Sequence, residues 1–175
     1  MRKLVVIAFL ALAALPAVAL GSTPADRAKA TADCAAQLSA MGAATFQQTY
    51  GPKGNARSAM AKCIARFSLI ENANVKNAAK DCRKEQSQMS TADFAKKYNA
   101  NANGHNAFGK CVSTKAKAES KADVQATVGA AQACKAERTD PNFASAHGGQ
   151  SFAQFYGKGS ANAFGQCVKA KSKQG

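Results

Sequence analysis

Apolar residues fall on one helical face along the first described segment of pattern, where Cys34, Leu38 and Met41 stand at i, i+4 and i+7. The spacing predicts a helix that starts at Thr23-Pro24-Ala25-Asp26 and runs to about Met41. These residues supply a hydroxyl at the N-cap, proline at the first helical position and a carboxylate in the first turn, and Gly42 is the expected stop. Phe46-Gln47-Gln48-Thr49-Tyr50-Gly51 follows as a short helical turn with two aromatics four residues apart. Beyond a polar loop with Pro52 and Gly54, Ser58 is the predicted cap of a second helix that carries Met60, Cys63, Ile64 and Phe67.

The same pattern is written again downstream. Ala79 to Glu85 carries Cys82 on a first helix; Ser90-Thr91-Ala92-Asp93 caps a short aromatic turn with Phe94 and Tyr98; Asn99 replaces the glycine stop. A loop from Ala100 to His105 leads to the N-cap Asn106 and the block Asn106-Ala107-Phe108-Gly109-Lys110-Cys111-Val112. That block recurs as Asn162-Ala163-Phe164-Gly165-Gln166-Cys167-Val168 and, more loosely, as Ser58-Ala59-Met60-Ala61-Lys62-Cys63-Ile64. The third copy opens at Cys134-Lys135-Ala136-Glu137 and holds an insertion, so either Phe143 to Gly148 or Phe152 to Gly157 is the counterpart of the aromatic turn. His147 takes the tyrosine position in the first of these, as an aromatic substitute. Phe67 to Lys80 and Val112 to Gln132 lack proline, so the second helix of one copy is free to run into the first helix of the next.

The chain is therefore expected to be all-α, three tandem disulfide-stapled helical hairpins, with helices either shared between neighbouring copies or broken between them. The boundaries are a signal peptide at 1–19 and hairpins at 20–70, 71–122 and 123–175, the last with a basic tail. Each copy holds two of the six cysteines, at 29, 29 and 33 residues apart. Cys82 lies seven residues before the helix end expected near Met89, and Cys111 five after Asn106. At a rise of about 1.5 Å per residue both lie roughly 8 to 11 Å from the hairpin tip, opposite each other. The predicted bridges are Cys34 to Cys63, Cys82 to Cys111 and Cys134 to Cys167. Zinc is the competing use of cysteine, but there is no C-x-x-C and the only histidines are His105 and His147. Gly109, Gly165 and Ala61 are read as places where a neighbouring element comes close; a ligand loop made by Asn-Ala-Phe-Gly is the alternative.

The pattern A-x-x-C-[KR]-x-E, F-x-x-x-Y-[GN] and N-A-F-G-[KQ]-C-V resembles repeats of uncharacterised exported bacterial proteins, over Ala30 to Lys173. Copy one departs from it at Ala35, Gln37 and Met60-Ala61. The resemblance implies export and a repeated hairpin and brings no activity with it.

Export also follows from the N-terminus. Arg2 and Lys3 precede an apolar run from Leu4, and Ala17-Val18-Ala19 suits signal peptidase, with the cut placed after Ala19 or alternatively after Gly21. A secreted, periplasmic or cell-envelope address explains paired cysteines. The chain has 41 alanines and no tryptophan, so its core is thin and its cross-links matter.

Charge changes the picture last. Without Arg2 and Lys3 there remain 22 basic and 10 acidic residues, a net charge of +12. Such a chain suits anionic polymers, anionic lipid or the cell envelope; the rival reading is a structural or protein-interaction scaffold whose charge serves only solubility. Lys110, Lys117 and Lys121 fall in a stripe about 40° wide on one helix, and Lys169 with Lys173 repeats an i, i+4 spacing. These five form the candidate basic surface. No constellation of nucleophile, base and acid stands out, so neither an enzyme nor a cofactor is expected; Asp81 and Glu85 read as an ordinary solvated helix face.

Overall fold

A computed structural model of the chain describes residues 22–51, 55–98, 106–157 and 162–173, and the expected signal peptide and the loop with Asn99 lie outside them. Among the described residues all regular structure is helical. Helix α1 (Pro24–Met41) opens with a capping box, in which Thr23 Oγ1 accepts from the Asp26 N–H and the Asp26 carboxylate accepts from the Thr23 N–H. After the positive-φ Gly42 comes α2 (Ala43–Tyr50). The next helix, α3 (Ala56–Ser87), begins three residues earlier than the Ser58 cap expected: Asn55 is the cap, and Ser58 donates its N–H to the Asn55 side chain. Short α4 (Thr91–Lys97) is capped by Ser90. Long α5 (Ala107–Thr139) follows, then α6 (Phe143–Ala146), α7 (Phe152–Gly157) and α8 (Ala163–Lys171).

Helices α3 and α5 hold 32 and 33 residues, each about 50 Å long at 1.5 Å per residue. Each crosses an expected hairpin boundary without a break, so each serves two hairpins. The bridges are Cys34–Cys63, Cys82–Cys111 and Cys134–Cys167, all with Cα atoms 6.0 Å apart, and no cysteine is free. Helices α1, α3 and α5 pack against one another, and α8 packs against α5 and α2. The first and third hairpin tips therefore share one end of the molecule, where Met41 packs against both cores. Among the described residues the second tip stands alone at the other end, over a small core of Cys82, Phe94, Ala107 and Cys111. Buried faces are mostly alanine and cystine, with phenylalanine at the tips supplying the area that alanine lacks.

One set of contacts recurs at every tip and identifies the counterpart turn in the third hairpin. Phe46 and Tyr50, Phe94 and Tyr98, and Phe152 and Tyr156 hold their rings 4.9, 5.0 and 4.9 Å apart at tilts of 52°, 54° and 51°. Each tyrosine hydroxyl donates to the residue three after the first cysteine: Gln37 at 2.6 Å, Glu85 at 2.8 Å and Glu137 at 2.8 Å. The Phe152 turn is thus the counterpart, and α6 is the insertion. There His147 stacks on Phe143 at 3.9 Å and 12° and reaches the Phe143 carbonyl oxygen through Nδ1 at 2.8 Å.

The glycines divide. A Cβ on Gly165 would lie 2.6 Å from the Thr49 carbonyl oxygen, so close approach of α8 to α2 requires glycine there. Gly51 closes α2, donating its N–H to the Gln47 carbonyl oxygen at 2.7 Å, and a Cβ there would crowd Ala59 at 3.2 Å. Gly109 departs from the close approach expected of it: among the described residues nothing lies within 4 Å of a Cβ built there. The Asn-Ala-Phe-Gly block opens α5 and α8 as helix rather than forming a loop.

Candidate functional site

Among the described residues helix α1 covers only part of the seam between α3 and α5, and beyond its first turns a slot opens along that seam. The slot measures about 480 Å³. Ala25, Asp26 and Lys29 of α1 close one end; Val75 and Ala79 of α3 and Phe108, Val112 and Ala116 of α5 form largely apolar walls. Its length follows from helix geometry: Glu71 to Ala79 is eight residues, about 12 Å.

The closed end is polar and charged. Lys29 Nζ lies 3.1 Å from Glu71 Oε2 and 3.4 Å from Asp33 Oδ2, and it also bonds the Ser120 hydroxyl. Ser120 Oγ donates to Asp33 at 2.9 Å, and Asn74 Nδ2 donates to Asp123 at 2.8 Å. Three helices thus meet through side chains rather than through alanine. Glu71 is 1% exposed, and its Oε2 pairs with Lys29. Burial, together with the neighbouring Asp33, pushes the Glu71 carboxyl above the ordinary carboxylate range, opposed by Ser120 and Lys29. Asp26, beside it, goes the other way: burial is outweighed by hydrogen bonds from Thr23 and Asn72 and by nearby Lys76, and its carboxyl is lowered.

A second groove, of about 710 Å³, runs along the far side of α5 and is lined by Lys97, Tyr98, Asn106, Lys110, Thr114 and the residues it shares with the slot. Those shared residues are Gly109, Ser113 and Lys117, one row along α5. Two of the three are small, so only a low ridge separates an apolar slot from a groove edged by lysines.

No known family model matches this chain, and neither does any curated protein or solved structure.

The structure splits the five lysines expected to form a basic surface. Lys110, Lys117 and Lys121 are exposed on the unbroken α5, and the first two edge the groove. Lys169 and Lys173 lie near the other end with Arg66 and Leu69, around a groove of about 510 Å³. They are not an i, i+4 helical pair, because α8 ends at Lys171 and Lys173 falls in the turn beyond.

Glu85 overturns its reading as a solvated surface acid. It takes Lys97 at 2.8 Å, Lys115 at 2.9 Å and the Tyr98 hydroxyl, and these hydrogen bonds hold its carboxyl down at about 2. The polar junction was missed altogether, although a signal exists. Counting helically from the cysteines gives Cys63, Phe67, Glu71, Asn74, Ala78 and Cys82 as one buried face, with Glu71 and Asn74 inside it. The matching face of α5 carries Ser120 and Thr127. Among the described residues there is no group of three or more metal-ligating side chains, and no helix is long and apolar enough to cross a membrane.

Proposed function

We propose that this is an exported, non-enzymatic binding protein that holds anionic polymers of the cell envelope weakly and reversibly on the cationic face of α5. The observation that carries the reading is the exposure of Lys110, Lys117 and Lys121 along one unbroken helix, with Lys110 and Lys117 edging the groove that Lys97 also lines. Clustered cations release counterions when they meet a polyanion, which favours binding at low salt without sequence specificity. Three disulfides suit an oxidising compartment outside the cytoplasm.

A second reading, a scaffold for another protein, draws on Leu69. This side chain is 61% exposed beside Lys169 and Lys173, where an apolar contact ringed by charge is an ordinary docking feature. Binding to heparin, DNA and anionic vesicles at about 50 mM salt separates the two. The polyanion reading expects stronger binding than that of a control with equal net charge and scattered lysines; equal binding transfers the case to the scaffold.

A further inference from the structure

We infer that the slot and the groove act together as a site for a single-chain anionic amphiphile, an alkyl carboxylate whose tail fills the slot and whose headgroup rests among the lysines across the ridge. The inference rests on the polyanion reading for its cationic edge and extends it to a ligand class. Two independent observations meet here. The slot is walled by Val75, Ala79, Phe108, Val112 and Ala116 with little polar surface, which suits a hydrocarbon chain about 12 Å long. The groove beyond it is edged by Lys110 and Lys117, which suits an anion, and by Lys97, which Glu85 already pairs.

Orientation follows from the acids. Glu71 and Asp26 line the closed end, and a ligand carboxylate placed there would face them, with Lys29 already engaged by Glu71, Asp33 and Ser120. The headgroup therefore lies at the opposite side, beside Lys117. Its route crosses Gly109, where a Cβ would meet nothing within 4 Å among the described residues, and Ser113 on the next turn. The open glycine that no packing contact explains is accounted for as a gap in the ridge.

The test uses the oxidised protein and monomeric hexanoate, octanoate and decanoate at low salt. Each buried methylene is expected to raise affinity about fourfold up to the length of the slot. Gly109→Leu should weaken decanoate binding at least tenfold while helix content and Tm stay close to wild type; Ser113→Leu, at an exposed position, should do the same if the first variant proves poorly folded. Lys117→Gln should weaken decanoate severalfold and leave neutral decanol unchanged. Affinity that does not grow with chain length, or that survives both leucine variants, overturns the inference and leaves the polyanion reading standing. Decanoate uptake without heparin binding sinks the polyanion reading and keeps the site. A dimer that buries the slot and takes up no amphiphile overturns the inference in favour of a second copy of the chain.

Discussion

Position three after the first cysteine shows how one task is met by different residues in different surroundings. Gln37, Glu85 and Glu137 all accept a tyrosine hydroxyl. Glu85 and Glu137 keep their charge because Lys97, Lys115 and Lys171 pair with them, whereas Gln37 is fully buried, where an unpaired carboxylate would be costly. The two acids with opposite shifts give opposite pH behaviour. Glu85 is depressed to about 2, so its stabilisation is present above the unfolded carboxylate pKa and is lost as pH falls toward 2. Discounted for exposed partners, it is worth about 1 kcal/mol. Glu71 is raised, so burying it ionised costs stability as pH rises through its folded pKa. Melting curves should show Glu85→Gln flattening the acid limb, and Glu71→Gln raising Tm at pH 8 relative to wild type more than at pH 4. A Glu71→Gln variant that is equally affected at both pH values would contradict the assignment.

Glycine at equivalent positions of α5 and α8 supplies a second contrast. Gly165→Ala should cost about 1 to 3 kcal/mol through its clash with Thr49, while Gly109→Ala should gain up to about 1 kcal/mol of helix propensity. Urea titration of the pair tests the opposite signs directly.

Among elements, the two shared helices bear unequal loads. The end that holds α1, α2, α7 and α8 has two joined cores, whereas the α4 end depends on the Cys82–Cys111 bridge and a few side chains. Replacing both cysteines by serine should cost roughly 3 to 4 kcal/mol, as expected for a loop of this size. Hydrogen exchange should rise in α4 and the adjoining ends of α3 and α5 while α1 and α8 keep their protection; uniform loss would show that the two ends unfold together. Much of this layer is legible in the sequence. Caps, aromatic turns and cysteine offsets are local signals, and a hairpin that closes on itself needs only local signals. The junction of Lys29, Glu71 and Ser120 is not local: it exists because α1 begins midway along two longer helices, a relation that no single segment carries. For the same reason the slot could not be read in advance, and Gly109 and Gly165 look alike until their neighbours are known.

For the whole molecule, charge and shape are separable claims. The net charge of +12 belongs to the sequence without Arg2 and Lys3, but only the fold puts Lys110 and Lys117 at one groove and Lys169 and Lys173 at another. The central claim is that α5 presents a localised cationic face and does not merely share in a diffuse charge. The salt dependence of heparin binding tests it most directly, comparing wild type with a triple variant that carries glutamine at Lys110, Lys117 and Lys121. The account predicts that the slope of log affinity against log salt falls by about 2 to 3 in the variant, close to one for each lysine removed. An unchanged slope, or the same decrease on replacing three lysines chosen elsewhere, would contradict it.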